Sequence, residues 1–315
     1  MRFLGLLILV SFVVSCGEVH SSSQIHSAYG ENDFKIVTAE SIKKDNFAKA
    51  MGAVVILGMV PGWDDEVIPT QWCSGFKVSK KHILTNDHCV RKSLFFDQGK
   101  ISTGFDKLIE YEVDDAYRLD CDGEVRSTPT LNDYKNNMLG EPIIFDYDLD
   151  FALYELPESQ WSDEFVDLRE IESQKNIGKG EPKKAKRKKS IMYSFPTDAP
   201  LVKSENCSIL VKNEYTALHT CDSLTGSSGG LIVDVESKTP IALHHQGGGK
   251  TSYQNYKKNG SFKTPELTAK DHCLAEYEDK SKTFDECVQY VMENKAIPLA
   301  SIFKLIKQQN IEIYD

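Results

Sequence analysis

Among the eight cysteines of this 315-residue chain no two stand in a C-x-x-C pair. That absence argues against a zinc site built on paired cysteines. The apolar run that opens the chain, Phe3 to Val14, is too short to span a bilayer. Positive charge is in deficit, with 37 Lys and Arg against 47 Asp and Glu and a net charge of −10. Such a balance speaks against a nucleic-acid partner, whose phosphates require a basic face. Helical periodicity is scarce before residue 299, which leaves short strands as the dominant signal.

What is present is a set of three short segments in a fixed order. Leu84-Thr85-Asn86-Asp87-His88-Cys89 comes first, then Asp150-Phe151-Ala152-Leu153, then Gly226-Ser227-Ser228-Gly229-Gly230. A serine nucleophile needs an imidazole to take its proton, and the imidazole needs a carboxylate to hold its tautomer. Gly226 to Gly230 also fits the G-x-S-x-G nucleophile elbow, but that fold orders its triad Ser, Asp, His. Here His244 and His245 follow Ser228 too closely for an intervening acid strand, and His272 has no strand context. His88 is therefore the expected base and Ser228 the expected nucleophile. Asp146, Asp148 and Asp150 alternate and would share one face of a strand. Only Asp150 adjoins the apolar run that follows, so it is the expected acid, with Asp148 in reserve. The glycines around Ser228 let the backbone turn sharply and aim the Gly226 and Ser228 N–H groups at a developing oxyanion.

Trp72-Cys73-Ser74-Gly75-Phe76-Lys77-Val78 and Thr85 to Cys89 together resemble the first-barrel signature of the trypsin/chymotrypsin-like serine proteases. Asp150 to Leu156 resembles the strand of that family that begins at its catalytic aspartate, and Gly226 to Gly230 its nucleophile loop. The short cysteine pair before the nucleophile and Ser227 look most like the bacterial trypsin-like and glutamyl-endopeptidase branches. The resemblance covers about residues 36 to 308. It implies an all-β fold of two antiparallel six-stranded-type barrels with a C-terminal helix, and an active site in the cleft between them.

The same resemblance implies a Cys73–Cys89 bridge. Cys207 and Cys221, 14 residues apart, and Cys273 and Cys287, also 14 apart, are the further expected pairs, which leaves Cys121 over. Disulfides imply an exported, oxidising location. Two features compete for the substrate pocket. Asp222, six residues before Ser228, stands where trypsin has the aspartate that receives Lys or Arg. Leu243-His244-His245-Gln246-Gly247-Gly248 resembles the glutamyl-endopeptidase wall, where a histidine receives glutamate; the balance leans slightly to His244. Ser227 departs from the trypsin-like zymogens, which carry Asp there to receive a new N-terminus. Lys35-Ile36-Val37 resembles an activation site without that partner, so a cut after Lys35 is expected to release the domain and not to activate it.

Arg2 followed by the apolar run reads as a signal peptide over residues 1–15. Val13-Val14-Ser15-Cys16 resembles the lipobox of bacterial lipoproteins, in which the cysteine is acylated. Cys16 is thus the expected lipid anchor, in an outer membrane if the cell has one, with residues 16–35 as a polar tether and residues 36–315 as the protease domain. Lys183 to Lys189 holds six positive charges in seven residues and reads as a solvated segment.

Strand signals lie at Ala53 to Leu57, Ser74 to Val78, His82 to Leu84, Phe151 to Leu156, Ile191 to Phe195, Cys207 to Val211, Leu231 to Val233 and Ile241 to His244. A helix is expected over Leu299 to Ile306, with Ser301 as N-cap. The expected function is a lipid-anchored extracytoplasmic serine endopeptidase, monomeric, needing neither metal nor cofactor. An inactive binding module and a non-proteolytic esterase on the same fold are the alternatives.

Overall fold

The computed structural model describes residues 25–27, 34–59, 67–90, 100–104, 117–119, 125–127, 138–172, 186–196, 201–247 and 293–314. The expected signal peptide, Cys16, Cys121, Lys183 to Ala185, Cys273 and Cys287 lie outside them, as does most of the tether.

Apolar, β-branched and aromatic residues in short runs pair into seventeen described strands. They are β1 (Ile25–Ser27), β2 (Phe34–Ile36), β3 (Met51–Met59), β4 (Val67–Lys77), β5 (His82–Thr85), β6 (Lys100–Gly104), β7 (Tyr117–Leu119), β8 (Val125–Ser127) and β9 (Ile144–Asp146). Then follow β10 (Phe151–Glu155), β11 (Lys188–Ser194), β12 (Val202–Val211), β13 (Ala217–His219), β14 (Ser223–Leu224), β15 (Leu231–Asp234), β16 (Pro240–Gln246) and β17 (Asn294–Pro298). Among the described residues helices are few and short: α1 (Ala39–Lys44), α2 (Asn46–Ala50), α3 (Arg169–Glu172) and α4 (Leu299–Gln308).

One sheet runs β6-β3-β4-β5-β10-β9. The other runs β11-β15-β16-β17-β13-β12, and a β11–β12 pairing closes it into a six-stranded antiparallel barrel, with β2 added outside β12. One of the two barrels expected from the sequence is thus closed. Among the described residues no pairing joins β6 to β9, so the first sheet stays open.

Strand β10 alternates its side chains between two apolar interiors, which is why it reads as a continuous hydrophobic run. Phe151 and Leu153 of β10 enter a core shared with Leu231, Val233 and Leu243 of the barrel and Ile302 and Ile306 of α4. Ala152 and Tyr154 face the opposite way, onto Cys73, Ile83 and Cys89. Ile232 and Ala242 fill the barrel interior beside Met192, Cys207 and Ile209.

The C-terminal helix begins two residues before the expected cap. Its N-cap is Pro298, at φ −61°, and no side chain caps it. Strand β17 runs straight into α4, and the fixed φ of proline suits that entry, so Ser301 lies in the first turn instead. The basic run also ends in structure: Lys188 and Lys189 open β11, Arg187 pairs with Glu293, and Lys188 pairs with Asp234 at 2.8 Å.

Candidate active site

Strands β5 and β10 are antiparallel neighbours with Thr85 opposite Ala152. The residues just after β5 and just before β10 therefore lie side by side. A one-turn 3₁₀ segment, Asp87–Cys89, carries His88 there. Asp150 meets it with both oxygens: Oδ1 accepts the His88 backbone N–H at 2.9 Å, and Oδ2 accepts Nδ1–H of the ring at 2.6 Å. Two bonds from one carboxylate set both the place of the imidazole and its tautomer. The Asn86 side-chain amide donates to the Asp150 carbonyl at 2.8 Å, which steadies the turn. Asp150 itself is at φ 47°, a left-handed conformation that aspartate tolerates better than most residues.

The alternation of three aspartates on one strand does not survive. β9 ends at Asp146, whose Oδ1 accepts the Leu149 N–H at 2.8 Å, and residues 147–150 form a turn. Asp148 is exposed there, whereas the Asp150 side chain is only 14 % exposed. Burial by itself would raise the Asp150 carboxyl. Hydrogen bonds from His245 and His88, with the charge of His88, outweigh that and hold it well below the usual carboxylate range.

The loop of the expected nucleophile comes from the barrel. Gly226 and Gly229 take φ of 89° and 86°, values open to glycine at no cost. A Cβ on Gly229 would fall 1.8 Å from the Ser74 carbonyl oxygen, so only glycine permits the approach of the two sheets. Ser74 of β4 binds the loop two ways, its N–H donating to the Ser228 carbonyl at 2.7 Å and its hydroxyl to the Gly226 carbonyl at 2.8 Å, and that hydroxyl also accepts from Phe195 N–H just after β11. From the other side the loop is held by β16, as Gly229 N–H donates to the His244 carbonyl and His244 N–H to the Gly230 carbonyl, both at 2.8 Å.

Ser228 lies close to His88 through Cys89, whose sulfur is 4.0 Å from the Ser228 carbonyl oxygen and 3.7 Å from His88 Nε2. The Ser228 hydroxyl itself donates to the His245 carbonyl at 3.5 Å, and among the described residues no hydrogen bond joins it to His88. Resting geometry of this kind tightens only when substrate is bound in many catalytic sites. Among the described residues neither the Gly226 nor the Ser228 N–H meets an acceptor. Ser227 is fully buried, accepting the Leu224 N–H at 3.0 Å and lying 3.1 Å from the Ser194 hydroxyl.

Both pocket residues are buried. Asp222 is 2 % exposed and its N–H donates to the Ser204 hydroxyl at 2.9 Å. His244 is 2 % exposed and its Nδ1 sits 2.9 Å from Nε2 of His219, with the rings edge to face. Burial pushes the His219 imidazole down to about 3, helped by the charges of His245, Arg187 and Lys295, so it stays neutral. Its Nδ1 is buried without a partner among the described residues.

Disulfides join Cys73 to Cys89 and Cys207 to Cys221. Cys73, His88 and Cys89 hold their ligand atoms within 4.8 Å of one another, a spacing a metal could use. Both sulfurs are joined in the bridge, however, and a disulfide offers no thiolate.

Sequence reasoning gave no role to His219, His245, Asn86 or Ser74. His244 and His245 are the one place where a signal existed, since adjacent strand residues face opposite sides. One of the doublet had to point inward and the other toward the cleft. No protein-family model and no curated protein sequence matches the chain.

Proposed function

We propose that the chain is a serine endopeptidase of the trypsin/chymotrypsin-like kind, working through an acyl-enzyme. The observation that carries this is the double hydrogen bond that His88 donates to the Asp150 carboxylate, beside a glycine-turned serine loop. Ser228 Oγ attacks the peptide carbonyl as His88 Nε2 takes its proton, and Asp150 stabilises the imidazolium. The N–H groups of Gly226 and Ser228 receive the oxyanion. His88 then protonates the leaving amine, and water repeats the sequence on the ester. The same reading holds that the first sheet closes into a second barrel.

For specificity we favour an acidic side chain before the cut bond, received at His244, with Asp222 and a basic side chain as the competing assignment. Activity is proposed to be independent of cleavage at Lys35. That bond lies within β2, paired to β12, with Lys35 bridged to Glu205, and Ser227 offers no carboxylate to a new N-terminus. Cys16 is proposed as the lipid anchor outside the cytoplasm. The two disulfides favour that compartment, and no described helix is long and apolar enough to cross a membrane.

A latent or purely binding role is the second reading, favoured by the Ser228 hydroxyl resting on the His245 carbonyl. The chain and its Ser228→Ala variant are incubated with a protein mixture, and new termini are mapped by mass spectrometry. Cuts that need Ser228, clustered after Glu or Asp, are expected. Clustering after Lys or Arg transfers the pocket to Asp222, and no cuts from either protein overturn the protease.

A further inference from the structure

Strand β1 falls in the stretch read from the sequence as a tether, yet it pairs antiparallel with β14, Ile25 opposite Leu224 and Ser27 opposite Ser223. β14 belongs to neither large sheet, and among the described residues β1 is the one strand joined to it. The antiparallel sense sets Ile25 against Leu224, the end of β14 that leads into Gly226. The Leu224 carbonyl accepts the Ser227 N–H at 3.0 Å and closes a turn. One strand spacing and one turn therefore bring the Ile25 backbone within about 16 Å of Ser228.

The fasteners along this stretch come in order. Cys221 is held by its bridge to Cys207 and by the Asn294 amide, which donates to its carbonyl. Asp222 N–H donates to the Ser204 hydroxyl at 2.9 Å, and Ser204 of β12 stands opposite Phe34 of β2. Ser223 and Leu224 are then met by β1. Gly226 takes the third position of the turn that follows, at φ 89°. Peptide units are planar, so the direction of its N–H is set by how Leu224 and Thr225 are held.

We infer that β1 is a positioning strand of the candidate active site, whose ladder to β14 fixes the turn that aims the Gly226 N–H. This rests on the proposed role of that N–H in receiving the oxyanion. A donor aimed in advance needs no reorganisation when charge develops, whereas a turn left to swing forfeits part of that stabilisation. The effect belongs to the transition state, so it falls on kcat and leaves KM nearly unchanged. Residues 25–27 are by this account part of the catalytic unit. Activity follows the seating of β1 on β14, whether or not the bond after Lys35 is intact.

The test compares two full-length variants with the unaltered chain. One combines Ile25→Pro, His26→Pro and Ser27→Pro, since proline has no N–H to give a ladder. The other combines Ile25→Val, His26→Thr and Ser27→Thr, which keep the backbone donors and favour a strand. The proline chain is expected to lose about thirtyfold in kcat on a peptide substrate, with KM within about twofold. Its amides from Ser223 to Gly226 should exchange hydrogen about tenfold faster. The second variant should match the unaltered chain in both readouts. An unchanged kcat in the proline chain overturns the inference, whatever the exchange does, and leaves β1 as tether alone. Equal losses in both variants also overturn it, because side chains and not the ladder would then act. Ser27→Pro alone repeats the comparison if the triple variant does not fold. If no form hydrolyses any peptide, the protease reading fails, and exchange at Ser223 to Gly226 still decides whether β1 fixes the turn.

Discussion

The open sheet and the closed barrel hold their site residues by different means. In the barrel each strand is bonded on both sides, so the ladder itself places the serine loop and the two histidines of β16. The first sheet is open among the described residues, and His88 and Asp150 sit beyond the ends of β5 and β10, where no ladder reaches. There the work falls to local devices: the Cys73–Cys89 bridge, the Asn86 amide, and the two bonds of Asp150. The difference teaches that closure positions residues collectively, whereas an open edge needs a named fastener for each one. Ser74, Gly229 and His245 then set one half against the other.

The largest effects should come from the chemistry that straddles the join. Ser228→Ala is expected to lower kcat by about a millionfold while the melting temperature hardly moves, as read by peptide hydrolysis and calorimetry. Asp150→Asn should cost about ten thousandfold in kcat, because the carboxamide admits the wrong tautomer of His88. It also carries a signature in stability. A carboxyl depressed in the fold stabilises fully above the unfolded value near pH 4 and loses that contribution as pH falls toward the folded value. Denaturation of both proteins should show a gap at neutral pH that closes on acidification; a gap independent of pH would mean that Asp150 is not charged in the fold.

Next in size is the join itself. Gly229→Ala places a Cβ on the Ser74 carbonyl at a positive φ, and a loss of about 3 kcal/mol or more is expected in urea unfolding. The bridges sharpen the contrast between halves. Each closes a short loop, with partners 16 and 14 residues apart, and each removal should cost about 3 kcal/mol. Only the Cys73→Ser and Cys89→Ser pair should also lower kcat in the protein that remains folded, since that bridge fastens His88. Equal kinetic losses from both would erase the distinction. Ser74→Ala is the smallest, about 1–3 kcal/mol, from the unpaired Gly226 carbonyl and Phe195 N–H it leaves behind.

Much of this architecture was legible. The runs at Phe151 to Leu156 and Leu231 to Val233 became β10 and β15 because apolar residues buried on both faces leave little choice of partner state. Strands β13 and β17 were missed. Ala217–His219 is three residues long, and Asn294–Pro298 holds a buried asparagine and a proline, so neither carries a pattern apart from the barrel that needs them. The three-aspartate alternation misled for a related reason. Period two applies only within a strand, and the chain turns after Asp146.

Local sequence was enough to mark the His88, Asp150 and Ser228 segments and their order, while the pairing of Cys73 with Cys89 came from the family resemblance. Each depends on neighbours a few residues away: a glycine, a cysteine, an apolar run. What only the tertiary structure decided is which distant groups share an oxygen or a proton. His245 reaches Asp150 across 95 residues, and His219 meets His244 across 25. Those meetings follow from barrel closure, from the register shift between His244 and Gln246 of β16, and from the angle at which two sheets pack. No stretch of chain encodes them alone, because each is a sum of many weak contacts made only once the fold is complete.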